Sequence, residues 1–274
     1  MPKVSIFIRT YKRDVAWLDF CLQSIHANLK GWDEIVVAVP EGQESHLRFL
    51  GAERAVTTPR FAEDYVGQQI AKLQAHRHVT GDYVLFVDSD VVFLPGADVR
   101  DYLDGERPRI LTHSWPASFE APDKALAKNV SFLRKTFTEN LLGSTMPHSF
   151  MSGHGVRLFR RSTLESFDRR FPRMEADAQK LSRKVFSEYE LLGFFAHLAE
   201  RDAYSFVEAH QATPSHHTRQ FWTIDGITPE THTELAGLGF RPRWPSMLSW
   251  LDRAKAWLSQ TTRAVKKRLK GQHP

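Results

Sequence analysis

The sequence predicts an α/β fold: an open, mainly parallel sheet flanked by helices, followed by a basic amphipathic C-terminal helix. Three observations carry this reading. Short β-branched apolar runs alternate with segments of helical period through roughly the first ninety residues. One run, residues 83–87, is the strongest and ends in acidic residues. A dense positive charge is confined to the residues after Arg243 and Trp244.

Taken in order, residues 4–8 (Val-Ser-Ile-Phe-Ile) read as a first strand with turn-compatible polar residues after it. Trp17, Phe20, Leu22, Ile25 and Leu29 recur at near-helical spacing, and Gly31 is a stop signal. Residues 35–39 form a second buried strand closed by Pro40. A short helix over 44–50 leads to a weak strand at 55–57, and a helix over 65–78 keeps Ile70 and Leu73 in register. Strand 83–87 completes an alternation that demands a parallel sheet with helices on both faces. Beyond it the pattern loosens. Strands are expected at 109–112, 156–159 and 204–207. Helices are expected at 123–142, 162–167 and 186–201, and loop or exposed helix at 173–183. The polar stretch 114–148 suits a mobile substrate-binding insertion.

Composition narrows the function. With 274 residues, 42% hydrophobic and 12% aromatic, the chain can bury a sizeable core, which excludes global disorder. Cys21 is the only cysteine, so no intramolecular disulfide can form, as suits a reducing compartment. No apolar stretch approaches the roughly 20 residues that cross a bilayer, and the first apolar run is too short for a signal peptide. A cytoplasmic protein is expected. The net charge is +5, from 37 basic and 32 acidic residues. Residues 245–274 hold seven of the basic and one of the acidic ones, so residues 1–244 are near neutral. A neutral body argues against a nucleic-acid partner.

Asp88-Ser89-Asp90 sits at the carboxyl end of the strongest strand, where open α/β sheets bind ligands. Two carboxylates flanking a small residue can face one hard cation, Mg²⁺ or Mn²⁺, shared with substrate phosphates. The plain alternative is a turn with solvated acids. The apolar Val91, Val92, Phe93 and Leu94 that follow bury the surroundings and weigh against it.

The stretch 82–93 resembles the D-x-D strand of GT-A-fold nucleotide-sugar glycosyltransferases, in the style of a bacterial, family-two-like branch. Residues 4–11 are similar to their opening strand, whose end holds the nucleotide base. This places Arg9, Thr10 and Tyr11 at the donor with Asp88 and Ser89. Ser152-Gly153-His154-Gly155-Val156, then Phe159, Arg160, Arg161 and Leu164, resemble the region that meets donor sugar and acceptor. Residues 186–191 are similar to the family's later acidic motif, although its usual Glu-Asp pair stands here as Ser187-Glu188. Glu188 matches the catalytic base of inverting members. Glu190 would project about 200° away on an ideal helix. A helix-start carboxylate favoured by the macrodipole is the structural alternative for Glu188.

Gln69 and Lys72 lie three apart on one helix face, and the lysine is placed to neutralise phosphate, with a solvated face as the alternative. Residues 215–222 resemble the late element whose histidine completes the metal shell. His217 or His216 fills that role, since adjacent strand residues cannot both point inward. Arg219 is placed to reach the diphosphate.

The resemblance implies metal-dependent sugar transfer to a saccharide or lipid-linked acceptor, in bacterial surface polysaccharide or glycolipid synthesis. Inversion would use Glu188, and retention stays open. Two other classes compete: a nucleotidyltransferase, disfavoured because residues 8–13 lack a glycine-rich loop, and a non-enzymatic membrane or polyanion adaptor. The expected organisation is a catalytic domain over 1–244, its nucleotide part about 1–95 and its acceptor part about 96–222, with a tail over 245–274. In the tail Trp250, Leu251, Ala254, Trp257, Leu258, Val265 and Leu269 share one helix face. Lys255, Arg263, Lys266, Lys267 and Lys270 flank it. Such a helix suits the anionic inner face of the cell membrane, giving a peripheral location there.

Overall fold

The computed structural model describes residues 2–120, 129–151, 155–182, 184–211, 217–221 and 226–243. The expected tail helix, residues 152–154 and His216 lie outside the described residues. In chain order the strands are β1 (Val4–Arg9), β2 (Glu34–Pro40), β3 (Arg54–Thr58), β4 (Tyr83–Asp88), β5 (Val91–Phe93), β6 (Leu103–Asp104), β7 (Arg107–Thr112), β8 (Val156–Arg160), β9 (Ser205–Glu208) and β10 (Thr218–Gln220). The helices are α1 (Val15–Asn28), α2 (Asp64–Leu73), α3 (Val130–Leu142), α4 (Arg161–Arg170), α5 (Met174–Ala178), α6 (Glu188–Ala199) and α7 (Pro229–Gly237).

The main sheet runs β3-β2-β1-β4-β8, parallel except for the last strand. The chain winds outward from β1 to β3, then returns to place β4 on the other side of β1. That reversal opens a crevice at the carboxyl ends of β1 and β4, with Arg9 and Asp88 paired in register. Both sheet faces are covered, which explains the continuous apolar runs in the strands. Phe7, Val36, Ala38, Val84 and Phe86 face one core, against Ile70 and Leu73 of α2, Leu164 and Phe167 of α4, and Leu191 and Phe194 of α6. Ile6, Ile8, Val37, Leu85 and Val87 face the other, against Leu18, Leu22 and Ile25 of α1. Helix α1 ends as Leu29 turns extended, and Gly31 follows at φ 84°.

Several elements depart from expectation. The segment 44–50 forms only a 3₁₀ turn, Glu44–Leu47. The expected helix 65–78 is interrupted at Gln74 (φ −102°, ψ 8°) and resumes as the 3₁₀ turn Ala75–Arg77. Strands β7 and β9 form a separate sheet with β6. Helix α3 is capped by the Asn129 side chain, which accepts from the Ser131 and Phe132 amides. The antiparallel pair β5–β10 and helix α7, capped by Thr228, carry no strong periodic signal in the sequence. Here a third small core, Trp17, Phe20, Val92, Phe221, Leu235 and Phe240, fastens the late chain to α1. No helix among the described residues is long and apolar enough to cross a membrane.

Candidate active site

Strand β4 ends at Asp88, and the Ser89-Asp90 turn leads directly into β5. Across the crevice, the Ser187 hydroxyl caps α6 by accepting from the Tyr189 amide at 3.3 Å, so Glu188 becomes the first helical residue. From α2, Lys72 joins the two acids. Its Nζ donates to Asp88 Oδ1 at 2.6 Å, Glu188 Oε1 at 3.1 Å and the Tyr189 hydroxyl at 2.8 Å. The Gln68 amide adds a bond to Asp88 Oδ1 at 3.3 Å. Burial opposes the charge on Lys72, but Asp88, Tyr189 and Glu188 outweigh it and hold the ammonium well above the usual lysine range. Asp88 Oδ2 and Glu188 Oε2 accept no hydrogen bond among the described residues.

Asp90 is held from the late chain. Gln220 Nε2 donates to Asp90 Oδ1 at 3.3 Å, and Gln220 Oε1 accepts from the Gly155 amide at 3.0 Å. Gly155 passes against Asp88 so closely that a Cβ there would overlap the carboxylate. The backbone bond from Asp88 N to Gly155 O, 2.8 Å, depends on that approach. Burial pulls the Arg157 guanidinium below the usual arginine range; it lies 5.0 Å from the Tyr189 ring centroid and donates to Val156 O and Met151 O. Gly155 and Gln220 fall within stretches that the sequence matches to the site, but neither is assigned a role of its own, and Arg157 carries no sequence signal. The one available signal was strand alternation, which puts Gln220 on the opposite face from Arg219.

At the end of β1, Arg9 and Thr10 are buried, with 1% and 0% exposure. The Arg9 guanidinium donates to Thr10 O, while its Nε and the Thr10 hydroxyl have no partner among the described residues. Burial, partly offset by Asp64, pulls Arg9 down to about 10. Unpaired buried donors at a crevice are costly and call for an acceptor from elsewhere. The Tyr11 hydroxyl accepts from Arg13 at 2.6 Å and is pushed up to about 12, first by burial and then by Asp14.

The other expected site residues are not brought here. Gln69 is buried and donates to Phe186 O at 2.9 Å, so it anchors the lead-in to α6 instead of facing a donor. The His217 ring bonds Pro95 O at 3.0 Å, at the far end of β5 from Asp90, because Gln220 and not His217 pairs beside the acidic turn. Arg219 points to the other face and pairs with Glu234 of α7 at 2.5 Å. Glu190 accepts from the Ser149 hydroxyl and the Phe150 amide at 2.6 and 2.7 Å, away from Lys72. Burial pushes Glu190 up, against those two bonds.

Among the described residues, no group of three or more His, Cys, Asp or Glu is gathered to hold a metal. What the crevice offers is a pair of hard oxygen donors, Asp88 and Asp90. This suits a divalent cation that takes its remaining ligands from phosphates and water. It does not suit a metal held by the protein alone.

A family model described as glycosyl transferase family 2 matches residues 5–167, which runs from β1 into α4. No curated protein matches the chain. Among solved structures, one similar chain is the apo-form glycosyltransferase GlyE of Streptococcus pneumoniae TIGR4, at 15% identity and a TM-score of 0.40. The match covers 75% of this chain and 45% of that one.

Proposed function

Because the chain belongs to glycosyl transferase family 2, we propose that it transfers a sugar from a nucleotide-diphosphate donor to an acceptor hydroxyl. The observation that carries this reading is the division of oxygens around Lys72. One oxygen of Asp88 and one of Glu188 are bound to the ammonium, and the other oxygen of each is left unbonded among the described residues. Asp88 Oδ2, with Asp90, would hold Mn²⁺ or Mg²⁺. When bound, the cation supplies charge stabilisation to the departing diphosphate. Arg9, Thr10 and Tyr11 at the end of β1, with Ser89, hold the nucleotide. The orphaned Arg9 Nε and Thr10 hydroxyl supply donors for it.

Glu188 takes the proton of the acceptor hydroxyl as that oxygen bonds the anomeric carbon and the bond to diphosphate breaks. A single displacement of this kind inverts the centre. The acceptor is a saccharide or lipid-linked sugar in bacterial surface polysaccharide or glycolipid synthesis. The tail sequence supports docking on an anionic inner membrane face, where a lipid-linked acceptor would be at hand.

The test is incubation of the full chain with UDP-, GDP- and dTDP-sugars and Mn²⁺. Release of a nucleoside diphosphate, stopped by EDTA, is expected. Release of pyrophosphate from a nucleoside triphosphate and a sugar phosphate would replace this reading with nucleotidyl transfer. Absence of donor binding would end it.

A further inference from the structure

We infer that Lys72 is a positioning residue: it holds Asp88 and Glu188 as one unit and makes no contact with the donor diphosphate. The role as stated rests on the sugar-transfer reading above. The count of donors carries the inference. A lysine ammonium has three N–H groups and no acceptor. All three are committed, to Asp88, Glu188 and the Tyr189 hydroxyl. The side chain is 1% exposed, so a phosphate would have to displace a buried carboxylate to reach it. A surface lysine waiting for phosphate would keep donors free and a mobile stem.

The three partners come from different parts of the chain. Lys72 lies on α2, Asp88 ends β4, and Glu188 and Tyr189 open α6. Glu188 and Tyr189 are 116 and 117 residues from Lys72 along the chain. Lys72 therefore ties the strand end that would meet the donor to the helix start that would meet the acceptor. Burial and neighbouring charge push the Tyr189 phenol up, first by burial and against the opposing effect of Lys72, so it stays a neutral acceptor for the ammonium. Gln69, one turn before Lys72, bonds Phe186 O and fixes the same helix start from the backbone side. Removing the amine would leave a buried carboxylate, Glu188, facing a half-buried one, Asp88, without a counter-charge. Unpaired buried charge is strongly disfavoured, so Glu188 would leave the direction it now holds. Donor affinity should change little, because the Gln68 amide still holds Asp88 Oδ1, and Asp88 Oδ2, Asp90 and the end of β1 are untouched.

The test compares full-length parent, Lys72→Met and Lys72→Arg, each first shown to melt cooperatively. Diphosphate affinity is read calorimetrically with Mn²⁺ and inorganic pyrophosphate, a probe that needs no knowledge of the base. Turnover is read as nucleoside diphosphate release from the sugar nucleotide the parent uses. A positioning role predicts that Lys72→Met lowers kcat by about 10²-fold or more while donor KM stays close to the parent's, the signature of a transition-state defect. Pyrophosphate affinity should stay within about threefold, and Lys72→Arg should regain part of kcat because it keeps the charge. A fall of about tenfold or more in pyrophosphate affinity on Lys72→Met would place the lysine on the phosphates and overturn the inference. A folded Lys72→Met with parental kcat would overturn it too. If Lys72→Met does not fold, Lys72→Arg decides: reduced kcat at parental pyrophosphate affinity supports the inference, and the reverse split refutes it. If the parent turns over no sugar nucleotide, the transfer reading fails, yet the affinity arm still decides whether Lys72 meets the diphosphate.

Discussion

The two halves of the molecule place their site residues by different means. From β1 to β4, position follows from strand geometry. Arg9 and Asp88 are the last residues of neighbouring parallel strands, and the sheet alone brings them to one crevice. After β4, position follows from long-range bonds. Gln220 reaches Asp90 across 130 residues, and Lys72 reaches Glu188 across 116. The first half therefore supplies a rigid edge, and the second half adjusts what stands on it. Substitutions at the carboxyl ends of the strands in the first should remove ligand binding outright. Substitutions in the second should separate binding from turnover, or stability from both.

The largest expected effect lies on the rigid edge. Asp90→Asn keeps the size and removes a charge from the cation pair. Mn²⁺-dependent turnover should fall about 10²-fold or more, with loss of nucleoside diphosphate binding in calorimetry. Equal binding by the variant and the parent would mean the acidic turn is not the cation site.

Gln220→Ala sharpens the comparison, because it removes a late-chain side chain that stands behind Asp90 and also accepts from the Gly155 amide. Its effect should be smaller, about 10–100-fold in Mn²⁺ affinity, which is usual for partners behind a ligand. The secondary structure should be unchanged by circular dichroism. Unaltered Mn²⁺ affinity would show that β10 merely covers the turn.

Glu190→Ala probes the same helix as Glu188 in the opposite direction. It leaves the Phe150 amide buried without an acceptor, at about 1–3 kcal/mol. Folding stability should drop in denaturant titration, while the folded fraction keeps its turnover. If turnover falls and stability does not, Glu190 and not Glu188 belongs to the chemistry.

The smallest effect is expected at the amino-terminal edge of the sheet. Glu34 accepts from the Ser5 hydroxyl, the Thr80 amide and the Thr80 hydroxyl at 2.6, 2.5 and 2.7 Å. Burial raises its pKa, but these bonds outweigh burial and pull Glu34 down to about 2. A depressed carboxylate adds stability above its unfolded value, and that stability is lost as pH falls toward about 2. Glu34→Gln should flatten the stability curve between the unfolded value of about 4.5 and the folded value of about 2, and leave its slope near neutral pH unchanged. A curve as steep as the parent's would remove Glu34 as a cause.

Legibility in the sequence follows the same division. The strands at 4–9, 34–40 and 83–88 announce themselves because a buried parallel strand must be apolar on both faces. Asp88 and Asp90 could be placed from their position at a strand end, and Glu188 from the resemblance of residues 186–191 to the family's acidic motif. The contacts of the second half could not. Strand β10 is three residues long and polar, so its register against β5 is set by packing of Phe221 and α7 on α1. That register brings Gln220 to Asp90, and it is why His217 and Arg219 point elsewhere. Lys72 was visible as a cation near the acidic turn. That its three donors are all taken within the protein depends on α6, far along the chain, and no local pattern carries it.

Glu188 is where the two halves meet, so the most direct measurement is made there. Glu188→Gln keeps the side-chain shape and a partner for Lys72, but it cannot take a proton. Turnover of the sugar nucleotide should fall about 10²–10⁴-fold, with donor affinity in the presence of Mn²⁺ unchanged. A Glu188→Gln protein that binds donor and turns it over at the parental rate would contradict the account.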